Sequence, residues 1–376
     1  MIDVSLLPTH EMMYAAASIP IAMEVHEMVR EAFFAKLKRV PHIRLENDVD
    51  TSTPSLDFTF IDQFVLRGKT KRRQPDPTSH EGCQEPCRPN MGEHKGCQQP
   101  SMCGCLEFAD VDEERLMRKD AKLYAKCLRR REKGQPLDDL RGQLPKWMPY
   151  TTNNAGISSL QKFYRESRRP IYECNQNCNC GPVCKSRLVQ KGRRVPLTVF
   201  KTTNRGWGVK CDEHLIAGEF IDTYLGEVIT SKEADKRETA AGMVQKASYL
   251  FSLDKFNGDA GGPTDSTNFL IDGQYMGNVT RFINHSCDPN CRMYTVSQNK
   301  HDTWIYDLAF FAYDDIPAGT ELTFDYNDED EMEEEDVLRK RAEEAAQMQP
   351  GDDRPVCGCG ARKCRGYLWK KDVSPE

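Results

Sequence analysis

Sixteen cysteines in 376 residues, and above all where they fall, constrain this chain more than any other feature. Nine of the ten before residue 190 make one set: Cys83, Cys87, Cys97, Cys103 and Cys105, then Cys174, Cys178, Cys180 and Cys184. Four more frame the C-terminal half: Cys287, in the run Asn284-His285-Ser286-Cys287, with Cys357, Cys359 and Cys364. Spacings such as C-x3-C and C-x-C suit thiolate chelation in a reducing compartment better than disulfides. Three tetrahedral zinc ions need about twelve ligand positions, which nine thiolates supply if about three of them bridge. The other four thiolates close one further tetrahedral site. Both sets would be saturated with sulfur, leaving no open position for water. The metals are therefore expected to be structural, with the chemistry between them. Cys291 is an alternative to Cys287 as ligand, while Cys127 and Cys211 stand outside the pattern and read as packed free thiols.

At 38% hydrophobic residues the chain can bury a sizeable core, as two or three domains or one elaborated domain. The net charge of −6 argues against a general nucleic-acid coat and fits a basic partner better. Asp3 and Glu11 stand where a signal peptide would be basic, and no apolar run approaches membrane-spanning length. An intracellular, soluble protein is expected.

Residues 11–40 read as a helix broken at Pro20. Phe58-Thr59-Phe60-Ile61 reads as a short strand, and Arg67–Arg73 as either a nuclear address or a solvated loop. Residues 111–133 form a charged helical segment carrying Cys127. Pro196–Phe200, Phe220–Ile229, Ser248–Leu253, Thr303–Tyr313 and Glu321–Tyr326 are β-rich. Thr230 and Glu233 suggest a capping box opening a helix that ends near Gly242, and residues 257–268 a loop. Residues 328–336 hold eight carboxylates in nine positions, ahead of a charged helix to about residue 348.

Four motifs carry a resemblance. Arg281-Phe282-Ile283-Asn284-His285-Ser286-Cys287-Asp288-Pro289-Asn290, Gly206-Trp207-Gly208, Tyr224-Leu225-Gly226-Glu227 and Glu321-Leu322-Thr323-Phe324-Asp325-Tyr326 together resemble the SET-domain protein lysine methyltransferases. The cysteine sets before and after them are similar to pre-SET and post-SET modules, which points to the suppressor-of-variegation group. With the segment from Phe58 to Asp62, the likeness is greatest to the filamentous-fungal members and covers roughly residues 54–370. The chain departs from the pattern in three ways: Cys83 and Cys87 are spaced C-x3-C rather than C-x-C, a long gap precedes Cys97, and the acidic insert is long. No chromodomain pattern is visible.

The resemblance implies a mainly β SET-domain fold with short helices, small curved sheets and a threaded, knot-like segment, flanked by the two zinc-cysteine modules. The expected division is an N-terminal arm (1–80), a pre-SET zinc cluster (81–190), the catalytic domain (191–330), a charged insert (331–352) and a post-SET tail (353–376). It further implies S-adenosylmethionine as methyl donor and four zinc ions, three in the first module and one in the second. The implied cofactor residues are Arg205, Gly206, Trp207, Tyr249, Arg281, Asn284, His285 and Trp369. Tyr224 and Tyr326 would orient the target amine, with Phe324, Asp254 and Leu368 on the substrate side. The implied activity is methylation of lysine 9 of histone H3, marking silent chromatin in the nucleus. Its partners would be the H3 tail and chromatin-targeting proteins, with no membrane and no sequence-specific DNA. Alternatives are another lysine substrate, or a non-catalytic zinc-dependent binder of histone tails.

Methyl transfer is an in-line displacement, so positioning should dominate. The amine must be neutral although its reference pKa is about 10.4. An apolar channel and the nearby sulfonium would both lower that value. Tyr326 could also help remove the proton, though a water path would serve. Phe324 leaves room where a tyrosine hydroxyl would crowd a methylated amine, which points toward di- and trimethylation.

Overall fold

The computed structural model describes residues 21–71, 82, 103–181, 183–241, 249–259, 261–327 and 356–368. Cys83, Cys87, Cys97, Trp369 and the acidic segment lie outside these residues, as does the end expected for the helix near Gly242. The helices are α1 (Ile21–Leu37), α2 (Glu113–Lys119), α3 (Ala121–Glu132), α4 (Lys162–Ser167) and α5 (Ser231–Ala241). The strands run β1 (Ile43–Glu46), β2 (Thr59–Phe60), β3 (Val65–Leu66), β4 (Tyr150–Thr152), β5 (Ser158–Leu160), β6 (Ile171–Tyr172), β7 (Leu197–Lys201), β8 (Trp207–Cys211) and β9 (Phe220–Thr223). They continue with β10 (Glu227–Thr230), β11 (Leu250–Ser252), β12 (Phe269–Asp272), β13 (Met276–Gly277), β14 (Asn284–His285), β15 (Cys291–Ser297), β16 (Asp307–Ala312) and β17 (Glu321–Phe324).

Three sheets carry the architecture, in the orders β1-β7-β8-β17-β14, β11-β12-β10-β3 and β6-β15-β16-β9. Strand periodicity explains how one sheet serves two cores. On β16, Leu308, Phe310 and Ala312 enter the main core, whereas Ala309 and Phe311 enter a second one with Tyr150, Tyr164 and Ile171. Its neighbour β15 divides in the same way, Cys291 and Met293 to one side and Tyr294 and Val296 to the other. Successive side chains point to opposite faces, so a strand that reads as continuously apolar is covered twice.

The N-terminal segment belongs to the main core. Phe33 of α1 and Phe58 are buried there, and the Lys36 ammonium reaches the Leu56 and Phe58 carbonyls at 2.5 and 2.8 Å. The charged segment 111–133 is two helices rather than one. Asp120 breaks it, its carboxylate accepting the Leu123 N–H at 2.9 Å, because aspartate competes with the helix backbone for its own amides. The box expected at α5 is half formed: Thr230 accepts the Glu233 N–H at 3.3 Å, but the Glu233 carboxylate turns to Arg237 at 3.2 Å.

The cysteine-rich region is held to the sheets by Glu173, which is buried. Its carboxylate accepts the Tyr150 hydroxyl at 2.8 Å, the Leu188 and Val189 amides at 2.8 and 2.7 Å, and Gln190 Nε2 at 2.8 Å. Its own N–H donates to Ser297 at the end of β15. One side chain thus fixes the chain just before Cys174.

Candidate active site

Strands β9 and β10 occupy the run read as one β segment. They are interrupted at Tyr224-Leu225-Gly226, where a Cβ on Gly226 would come 2.3 Å from the Asp272 carbonyl oxygen. The interruption turns Tyr224 into the core, and its hydroxyl donates to the Tyr249 carbonyl at 2.7 Å. Phe251 of β11 packs edge-on against Tyr224 at 4.6 Å and lies 5.7 Å from Phe324, at the end of β17. Phe324 in turn meets Phe310 at 4.8 Å and Tyr326 at 4.9 Å. The Tyr326 hydroxyl donates to the Ile283 carbonyl at 3.0 Å.

Tyr224, Phe251, Phe324 and Tyr326 therefore form one aromatic wall. Each phenolic proton is directed at a main-chain carbonyl, which turns oxygen lone pairs away from that carbonyl. Burial pushes both phenols above the ordinary tyrosine range, so each is a neutral acceptor at physiological pH.

A polar clamp joins the turn after β7 to β14. Gly206 takes φ +73°, a conformation that favours glycine, and closes the β7–β8 hairpin with its carbonyl accepting the Thr202 N–H at 2.8 Å. Next to it, the Arg205 guanidinium pairs with Glu321 at 2.5 Å and donates to the His285 carbonyl at 3.3 Å. Asn284 Nδ2 donates to Glu321 Oε1 at 2.8 Å and to the Trp207 carbonyl at 3.1 Å. Arg281 lies over the rings of Tyr249, Phe58 and Phe282 at 4.3, 4.6 and 4.7 Å, its Nε donating to the Gly273 carbonyl.

His285 joins this clamp to the C-terminal tail. Its Nδ1 accepts the Tyr326 N–H at 3.2 Å, while its Nε2 lies 3.3 Å from both Cys287 Sγ and Arg365 Nη2. The sulfurs of Cys287, Cys357, Cys359 and Cys364 lie within 4.8 Å of one another, Cys287 and Cys357 being 3.9 Å apart. Sulfurs about 2.3 Å from a tetrahedral zinc would be separated by about 3.8 Å. Backbone amides aim at three of them: Arg365 at Cys287, Ala361 at Cys359 and Gly366 at Cys364, at 3.3, 3.5 and 3.3 Å. The hydrogen bond from Cys357, then those from His285 and the Arg365 amide, hold Cys287 below the ordinary thiol range. These donors suit thiolates, and the set fits zinc. Cys291 does not join it; it is buried and its thiol donates to Asn290 Oδ1.

Among the described cysteines of the first set, Cys103, Cys105 and Cys174 form one close group and Cys174, Cys178 and Cys180 another. Cys174 is shared, as a bridging ligand would be. Cys184 is buried in the same cluster. The neighbouring thiols, Cys103 first, drive Cys174 strongly upward, a repulsion that bound cations would remove.

The expected residues thus converge, with exceptions. Asp254 stands exposed in the loop after β11, and Leu368 meets the site through its carbonyl, which accepts Asn327 Nδ2 at 3.0 Å. Sequence reasoning missed Phe251, Glu321, Asp325 and Arg365. Arg365 is 5% exposed and makes a two-pronged pair with Asp325 at 2.6 and 2.9 Å. Its place beside Cys364, and that of Asp325 between Phe324 and Tyr326, were the available signals. Arg365→Gln is expected to loosen the tail: limited proteolysis should cut near residue 365 at least several-fold faster, with the melting of the remaining core little changed. Unaltered cleavage would show that the thiolate site holds the tail alone.

Two family patterns match the chain, a Pre-SET motif over residues 35–187 and a SET domain over residues 206–327. The H3 lysine-9 specific histone-lysine N-methyltransferase dim-5 of Neurospora crassa is 43% identical over 228 residues, which are 58% of this chain and 65% of that protein. The chain spans between 58% and 65% of the length of the first curated fungal relatives it matches. A structure solved to explain the product specificity of histone lysine methyltransferases superposes with a TM-score of 0.63 at 35% identity, over 87% of this chain and 99% of that one. Arabidopsis thaliana SUVH6, solved in complex with S-adenosylmethionine, superposes with a TM-score of 0.53 at 26% identity, over 86% of this chain and 53% of that one.

Proposed function

The chain belongs to the pre-SET and SET family of histone lysine methyltransferases, and from that footing we propose that it methylates lysine 9 of histone H3, to the trimethyl state. The aromatic wall carries this reading. A lysine side chain is a long apolar stem with a polar end, and Tyr224, Phe251, Phe324 and Tyr326 offer rings for the stem and two phenol oxygens for the amine. With their protons committed to the Tyr249 and Ile283 carbonyls, the phenols accept N–H bonds and aim the nitrogen lone pair. They are too weakly acidic to hold a negative charge near neutrality, so orientation rather than proton removal is assigned to Tyr326, and the amine proton leaves to water.

S-adenosylmethionine, when bound, supplies the methyl group as an electrophilic carbon on a positively charged sulfur. Arg205, Gly206, Trp207, Tyr249, Arg281, Asn284 and His285 are the residues proposed to hold it, with Trp369 from the tail. Asp254 and Leu368 are assigned to the histone side. Residues 81–190 are proposed as the pre-SET zinc domain, 191–330 as the catalytic domain and 353–376 as the post-SET tail, with 1–80 an arm and 331–352 an insert. Nuclear chromatin is the proposed location, reached through targeting proteins.

An H3 tail peptide incubated with the donor should gain up to three methyl groups at lysine 9, read by mass spectrometry, and a lysine-9-to-arginine peptide should gain none. Equal labelling of both would sink the site assignment. Because the neutral amine is the reactive form, the rate should climb roughly tenfold per pH unit above pH 7 while deprotonation limits. Neither phenol titrates early enough to reverse that rise below about pH 9.

Phe324→Tyr would add a hydroxyl to a set of aromatic faces. A poorly matched buried hydroxyl costs about 1–3 kcal/mol, enough to slow the later transfers about tenfold or more. The variant should stall at mono- or dimethyl-lysine with the first transfer preserved, and an unchanged product distribution would dismiss Phe324 as the control.

Four zinc ions are proposed per chain: three shared by Cys83, Cys87, Cys97, Cys103, Cys105, Cys174, Cys178, Cys180 and Cys184, and one held by Cys287, Cys357, Cys359 and Cys364. Elemental analysis of fully loaded protein should find four, and chelation should remove the tail ion first; a content of two would end the bridged-cluster reading.

A further inference from the structure

The helical pair α2 and α3 has no part in the reaction above, yet its charges are arranged with purpose. On α3 and its C-cap, Lys122, Lys126, Arg129 and Lys133 recur at i, i+4, i+7 and i+11, so they share one face about 60° wide. All four are exposed. The opposite face buries Cys127 against Leu116, Leu140 and Leu144.

Four nearby carboxylates have closer partners elsewhere, though Asp139 also feels the Lys126 charge at longer range. Asp112 and Asp120 cap α2 and α3 through the Arg115 and Leu123 amides, while Glu113 pairs with Arg131 and Asp139 with Arg130. Among the described residues, none of the four stripe cations has an ion-pair partner. From Ala121 to Lys133 there are six cations against Glu132 alone, in a chain whose net charge is −6. The helix dipole favours cations in the last turn, but it disfavours Lys122 in the first. The stripe also lacks the apolar anchor that a protein interface places at its centre.

We propose that this stripe docks the phosphate backbone of duplex DNA without reading its sequence. The inference rests on histone H3 as substrate, since that tail emerges from an octamer wrapped in DNA. Four cations spread over about 16 Å of helix face a polyanion carrying one charge per about 1.7 Å of axis.

The test uses the full chain and needs no catalysis: fluorescence anisotropy with two duplexes of about 30 base pairs and unrelated sequence. Both should bind equally, with log affinity falling against log salt at a slope of about 3–4. The variant K122Q/K126Q/R129Q/K133Q should lose at least about tenfold in affinity and most of that slope. Lys122→Glu places an acid where the helix dipole favours one, so it cannot act by unfolding α3, and it should still weaken binding several-fold. On nucleosomes the fourfold variant should raise KM with kcat unchanged, and on the free H3 peptide it should leave both unchanged. DNA affinity that ignores salt or ignores either variant overturns the proposal. So does equal impairment on free peptide, and so does polyglutamate competing as well as DNA, which would reassign the stripe to an acidic protein. If no lysine is methylated but DNA binding follows the stripe, the substrate reading fails and the docking surface stands.

Discussion

Two residues of parallel pairing hold the functional centre together. Asn284 sits beside Thr323 and His285 beside Phe324 where β14 meets β17, strands about forty positions apart in the chain. A parallel pair cannot be closed by a tight turn, so the intervening chain must travel out and return. It does so as β15 and β16, the strands that divide the two cores. The pairing puts the His285 ring against the amide of Tyr326 and Asn284 against Glu321. It also delivers Cys287 to the surface where the tail arrives.

From that junction the tail is fastened chemically in three ways: through four sulfurs, through the Arg365–Asp325 pair, and through the Asn327 contact to the Leu368 carbonyl. Asp325 and Asn327 flank Tyr326 in the chain, and Cys287 reaches it through His285, whose Nδ1 accepts the Tyr326 N–H. A metal held by these sulfurs would couple its affinity to the shape of the proposed site without touching the reacting atoms. The first cysteine cluster is remote from this logic; Glu173 ties it to β4 and β15 through Tyr150 and Ser297.

The aromatic wall is a case of polarity set by geometry. Phenols at the surface would face water and titrate near their ordinary value. Here burial raises the proton affinity of each hydroxyl, and one carbonyl fixes where its proton points. A neutral, oriented acceptor is what the proposed lysine amine would need.

Much of this was legible in the residues. Cysteine spacing announced thiolate metal sites, because chelation needs sulfur at short intervals and few other functions do. The four motifs announced the family, and short β-rich runs announced its strands. Pairing across long separations was not legible. Cys291–Ser297 is the longest strand among the described residues, yet with Arg292 beside Cys291 its apolar positions do not announce that both faces are covered. Glu321 read as one charge in a strand, and only its approach to Arg205 and Asn284 makes it a clamp. Asp120 read as one more charge in a helix, until its carboxylate found the Leu123 amide and split the segment. The sequence by itself determined which residues can bind metal, cap a helix or line an apolar wall, since those follow from side-chain chemistry. Which of them meet was decided by the tertiary structure, because contacts between residues forty or more positions apart depend on how sheets close over shared cores.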